Sequence, residues 1–177
     1  MRYFCQDESR WGLLTRSGRV ITLKGVKPEG VYHWGRKTFW LYGLVEPLTG
    51  ERYFDCFDTL NAEHFGQFIH QFSARYSDSV IVMQVDQAGA HLADELDWPE
   101  NIIPICQPAF CPELNPIERL WQHLKSHIKW ESFPNLKALR QRVQGLIDDL
   151  SDSLVHDQYS QANPAHPPDE LRLGRVA

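Results

Sequence analysis

No stretch of this 177-residue chain approaches 18 consecutive apolar residues, and no charged-then-apolar segment opens it. The expectation is therefore a soluble, cytoplasmic protein without a spanning helix or secretory signal. Zinc-type cysteine spacing is also missing. Cys5, Cys56, Cys106 and Cys111 are scattered, with no C-x2-C pair, and read as reduced thiols. A basic excess is absent too: Lys and Arg number 18 against 23 Asp and Glu, a formal net charge of −5. Stand-alone nucleic-acid binders usually carry the opposite balance. Any affinity for phosphates must come from local patches, from bound cations or from a separate module. There is no internal repeat. What remains, 42% hydrophobic and 12% aromatic residues, suits one ordinary domain with a substantial core.

Hydrophobic periodicity divides that domain. "MRYFCQDES" reads as a short strand ending in acids, and "RWGLLTRSGRVITL" as two short strands around Ser17-Gly18. "TFWLYGLVEPLTGERYFDCF" reads as a hairpin about a Pro-Leu-Thr-Gly turn. The spacing of Phe65, Phe68, Ile69, Phe72 and Tyr76 predicts an amphipathic helix with Asn61 near its cap. "SVIVMQVD" is a continuous apolar run, the pattern of a central strand buried on both faces. A short helix over 91–96 and a strand at "NIIPIC" follow, then helices at "NPIERLWQHLKSHI", where Ile117, Leu120, Trp121, Leu124 and Ile128 form a core-facing stripe, and at "NLKALRQRVQGLIDDLSDSL". Together the early segments suggest an antiparallel meander of about three strands. The predicted order, β-β-β-α-β-α-β-α-α, describes an α/β domain over 1–155: a mixed sheet with that meander and parallel strands, flanked by helices. Residues 156–177 read as a loosely ordered, proline-rich tail.

Three carboxylates fall where strands end or helices begin. Asp7 closes the first predicted strand, Asp86 closes the buried run, and Glu118 opens a helix after a loop. A carboxylate ending an apolar strand must be paired, solvated or metal-bound. Brought together, three such groups would repel one another and favour protonation unless cations neutralised them. Hard oxygen ligands suit Mg²⁺ or Mn²⁺, and two such ions can activate an attacking oxygen and stabilise a leaving one in phosphodiester chemistry. Each acid also has a simpler reading: a solvated strand end for Asp7, an Asx-turn for Asp86, and a capping glutamate for Glu118. Asn115 is a good N-cap with Pro116 at the first helical position, and Glu118 then stands where it can fold back on the cap. Spacing alone leaves Glu8, Asp55, Asp58 and Asp94 open as further ligands.

The segments "CQDESRWGLL", "VDQAGAH" and "PELNPIERLWQHLK" resemble the three acidic motifs of the DDE superfamily endonuclease domain. The branch they resemble is that of bacterial insertion-sequence transposases related to the mariner superfamily. The resemblance runs from about Arg2 to Ile128, with 31 residues between Asp86 and Glu118. It implies a ribonuclease H-like fold, with Asp7, Asp86 and Glu118 as catalytic acids holding two Mg²⁺ ions, for which Mn²⁺ may substitute. It further implies nicking at transposon ends and transfer of the freed 3′-hydroxyl to target DNA, with a homodimer in the DNA complex. His91 matches the histidine of the second motif, and His91 and Lys125 are read as neighbours of the acids or as DNA-facing. The chain departs from relatives at "AFC" (residues 109–111) and at Gln87. Met1 stands only six residues before Asp7, so a helix-turn-helix region is expected to be separately encoded, fused elsewhere or lost. The alternatives are a non-catalytic remnant that regulates a full-length transposase, and another ribonuclease H-like nuclease.

Overall fold

Cross-strand pairing carries the first strand well past its acidic residues. The structure is a computed structural model describing residues 1–15, 18, 21, 23–27, 29, 34–86, 96–108, 111 and 115–156. In it β1 runs from Arg2 to Gly12 as one element of 11 residues. The expected break after Ser9 does not occur. Thr38–Val45 (β2) pairs antiparallel with β1 as far as Gly12↔Thr38, which keeps that backbone satisfied while Ser9 and Trp11 are buried. Asp7 is therefore mid-strand, not terminal. Ser17, half of the turn expected there, lies outside the described residues.

Arg52–Phe57 (β3) completes the expected hairpin with β2, from Val45↔Arg52 to Trp40↔Phe57. Gly50 has φ +78°, and a Cβ there would come within 2.2 Å of the Asp152 carbonyl oxygen. A side chain is excluded at that turn both by conformation and by space. Ala62–Arg75 (α1) begins at Asn61, whose side chain accepts the His64 N–H at 2.8 Å, as the pattern predicts. Ile81–Val85 (β4) and Ile102–Cys106 (β5) pair in parallel, and β4 also pairs in parallel with β1. The strand order is β3-β2-β1-β4-β5, with β1 at the centre. Ile117–Ser126 (α2) and Leu136–Asp148 (α3) follow. The helix expected over 91–96 and the tail from 157 onward lie outside the described residues, apart from Leu96.

Helix α1 covers one face of the sheet. Phe65, Phe68, Ile69 and Phe72 pack there with Phe4, Tyr42, Leu44, Ile81, Met83, Val85 and Ile102. Helices α2 and α3 cover the other face over the β1–β3 half, around Cys5, Trp11, Phe39, Leu41 and Val45. The predicted apolar stripe of α2 is buried throughout: Ile117, Leu120, Trp121, Leu124 and Ile128. The strand β4 was expected to be buried on both faces, yet only its α1 face is fully covered. Val82 is half-buried, and Ile103 and Ile105 of β5 are 50% exposed.

Candidate active site

The parallel β1–β4 pairing runs from Arg2↔Ile81 to Cys5↔Gln84. Continued by two residues, that register sets Asp86, the first residue after β4, level with Asp7. Alternation along the strands then assigns both aspartates to the face of Cys5, the one covered by α2 and α3. Glu8 falls on the opposite face, where it accepts the Gln6 Nε2–H at 2.8 Å.

The start of α2 is tied to the same place. Asn115 is buried, and its amide donates to the Gln6 carbonyl at 2.9 Å, one residue before Asp7. Its Oδ1 accepts the Ile117 N–H at 3.4 Å. The expected capping box is not formed: the cap position falls on Pro116, which has helical dihedrals and no side-chain cap. The first turn closes instead through the Glu118 N–H on the Asn115 carbonyl (3.1 Å) and the Arg119 N–H on the Pro116 carbonyl (3.2 Å). The Glu118 carboxylate is thereby released from capping. Asn115 acts as a fastener between helix and strand.

Glu118 is half-buried, and its proton affinity is raised first by burial and then by the negative charge of Asp86, with Lys125 opposing. Asp7 is pushed up to about 8, again first by burial and then by the charges of Glu118 and Glu8. The Trp121 indole N–H and a backbone N–H of Glu8 work in the other direction. The three predicted acids thus interact electrostatically, with Glu118 the common member. Lys125 also lies 5.7 Å from the centre of the Trp11 ring. His91 and Asp94 lie outside the described residues. Asp55 and Asp58 have local roles: Asp55 accepts the Cys56 N–H at 2.7 Å, and Asp58 pairs with Arg140 at 2.5 Å.

One member of the site escaped the sequence reading. Trp121, expected only to pack in the core, donates its Nε1–H to Asp7 Oδ2 at 2.8 Å. Its place one turn after Glu118 was the available signal, because residues three apart share a helix face.

Among the described residues no group of three His, Cys, Asp or Glu side chains forms a metal cage by itself. The donor set still fits a hard cation. Mg²⁺ retains several waters and is usually held through one or two carboxylates plus substrate phosphates. A half-buried carboxyl whose proton affinity is raised by a second carboxylate favours any cation that enters.

Five strands in this order, with acids at the centre of the sheet and at the start of the following helix, define a ribonuclease H-like domain. The chain belongs to the DDE superfamily endonuclease family, whose model matches residues 2–140. The fold is that of Mos1 transposase. This chain superposes on the Mos1 paired-end complex with the left transposon end at a TM-score of 0.68, with 15% identity over 92% of this chain and 52% of that one. On the Mos1 strand transfer complex the TM-score is 0.70, with 15% identity over 93% and 52%. A Mos1 mariner paired end complex with Mn gives 0.69, with 15% identity over 92% and 53%. The chain spans about half the length of these proteins. An uncharacterized protein of Sinorhizobium fredii (strain NBRC 101917 / NGR234), y4pE/y4sA, is 28% identical over 89 residues, 50% of this chain and 66% of that protein.

Proposed function

We propose that this chain is the catalytic domain of a DDE transposase, with Asp7, Asp86 and Glu118 holding divalent cations for DNA cleavage and strand transfer. The observation that carries this reading is geometric, within a chain that matches the DDE endonuclease model over residues 2–140. The β1–β4 register, continued past Cys5↔Gln84, sets Asp86 level with Asp7, and Asn115 ties the start of the Glu118 helix to Gln6 beside them. The raised proton affinities of Asp7 and Glu118 agree with it. Acids arranged to repel are a poor structural choice and a good cation trap. Bound there, Mg²⁺ or Mn²⁺ would supply neutralising charge and Lewis-acid polarisation of the phosphodiester. The chain's own groups set the frame. In this reading the β1–β4 register, continued past Gln84, holds the two aspartates level, and Asn115 fastens the start of the Glu118 helix beside them. Lys125, on the Glu118 side of α2, is suited to a DNA phosphate. The chain's partners in this reading are transposon ends and target DNA, bound by a homodimer. No helix among the described residues is long and apolar enough to cross a membrane.

The test is nicking of supercoiled plasmid, which needs no end recognition, in Mg²⁺ or Mn²⁺. Cleavage should require the metal and fall in Asp7→Asn, Asp86→Asn and Glu118→Gln by more than the roughly 100-fold that losing a ligand's supporting partner costs. Far-ultraviolet circular dichroism should show all three variants folded. Undiminished cleavage in the triple variant would overturn the assignment.

A further inference from the structure

The contact between Trp121 and Asp7 is built across three strands. Asp7 on β1 pairs with Gly43 on β2, and Gly43 pairs with Phe54 on β3. The Trp121 indole lies across this row. Its N–H reaches Asp7 Oδ2 at one end, and its ring meets Phe54 at the other, with centroids 5.7 Å apart. Between them the ring passes directly over Gly43. A Cβ on that residue would come within 2.6 Å of the indole Cη2 and 2.8 Å of Cζ2. Any other residue opposite Asp7 would fill the space the indole needs. Trp121 is 2% exposed, so the donor side of the contact is buried, while Asp7 is half-buried.

We infer that Trp121 is a positioning residue for Asp7, a rigid strut that fixes the rotamer of this carboxylate and keeps one of its oxygens engaged, with Gly43 as the slot that admits it. The inference rests on the function proposed above for Asp7. An indole N–H is a donor only, and it accepts nothing from water, DNA or metal. Held by it, Oδ2 has one hydrogen bond already made, which disfavours chelation of a cation through both oxygens. Ligand carboxylates are commonly held this way, and losing the partner typically weakens metal binding about 10–100-fold. Large planar rings suit the task because few rotatable bonds need be frozen.

Trp121→Phe keeps the ring and deletes the N–H. Mn²⁺ titration of the full chain, followed by electron paramagnetic resonance of the free ion, should show about 10–100-fold weaker binding in Trp121→Phe with its melting temperature little changed. Gly43→Ala should weaken binding as well by displacing the ring. A second arm works without metal. The ¹H–¹⁵N signal of the Trp121 indole, identified by its loss in Trp121→Phe, should move in Asp7→Ala and lose protection from exchange. Wild-type Mn²⁺ affinity in Trp121→Phe would overturn the inference, as would an indole signal unmoved in Asp7→Ala. If the wild-type chain binds no Mn²⁺, the functional reading fails, and the indole arm alone decides the strut. Should Trp121→Phe not fold, the indole signal is assigned by its through-space contacts with the Phe54 ring, and wild type against Asp7→Ala remains the deciding pair.

Discussion

Two acidic clusters lie along β1, five residues apart, and they are solved in opposite ways. At the Arg2 end, Glu46 and Glu51 of the β2–β3 turn meet a guanidinium. Arg2 donates to Glu46 at 2.5 and 3.1 Å and also pairs with Glu51, while Thr49 Oγ1 donates to Glu46 at 2.5 Å and Tyr76 to Glu51. Burial raises the proton affinity of both glutamates, but Arg2 and the hydroxyls outweigh it and both are lowered overall. At the Asp7 end, burial acts in the same direction, and the side-chain donor to Asp7 is the neutral Trp121 indole. Lys125 opposes the rise only at Glu118, and both Asp7 and Glu118 end up raised. Carboxylates thus become structural anions in one place, where Arg2 supplies the positive charge, and proton- or cation-seeking groups in the other, where burial of Asp7 and the neighbouring acids prevail.

The largest way to break this contrast is to remove the internal cation. Arg2→Met leaves Glu46, only 6% exposed, as a buried carboxylate without its guanidinium. Breaking a buried pair on one side costs about 3 kcal/mol, visible as a lower urea midpoint. A loss below about 0.5 kcal/mol would show the ion pair to be ornamental.

The second contrast lies in pH. Glu46 and Glu51 are lowered in the fold, so their contribution is present above about pH 4.5 and is lost as pH falls. Asp7 is raised, so its contribution is full below about pH 4 and is lost as pH climbs through about 8. The metal-free protein should therefore weaken between pH 5 and 8 in a way that Asp7→Asn removes. Mg²⁺ at 100 times its dissociation constant should add about 2.7 kcal/mol at pH 8 and flatten the slope. Thermal melts across that range check both statements. An identical slope in Asp7→Asn would assign the effect elsewhere.

The smallest effect sharpens the geometry. Asn115→Ala deletes the hydrogen bond from α2 to the Gln6 carbonyl, and should cost about 1–2 kcal/mol by leaving a buried acceptor short of its partner. Cleavage should fall further than that loss of stability explains, because Glu118 is then less firmly placed. Proportional losses in a plasmid-nicking assay and in urea denaturation would reduce Asn115 to a stabilising residue.

Elements with a strong local period were legible from sequence. The aromatic stripe of α1 and the apolar stripe of α2 dictate which face each helix buries, whatever else the chain does. Asn61 was readable because a cap acts within three residues. The length of β1 was not, since nothing near Ser9 reveals that β2 will pair as far as Gly12. For the same reason Asp7 looked terminal. Asn115 was read as a cap because only its helix is local, and its partner Gln6 is 109 positions away. Trp121 looked like core because its ring is core, and only its single polar atom belongs to the site. The three acids could be ordered along the chain by motif, but their coupling depends on a parallel register that no short window contains.

The position of β1 in the middle of the sheet also governs when the site can exist. Asp7 stands on the first strand of the domain, yet the indole that holds it comes 114 positions later. A chain emerging from the ribosome can form the β1–β2–β3 hairpins and even add β4 while still lacking Glu118, Asn115 and Trp121. No contiguous fragment that stops short of α2 carries all three acids, and a single break between residues 7 and 118 parts at least one from the rest. The proposed site therefore doubles as a certificate of completion: an unfinished or severed polypeptide has the sheet of the domain without its set of acids.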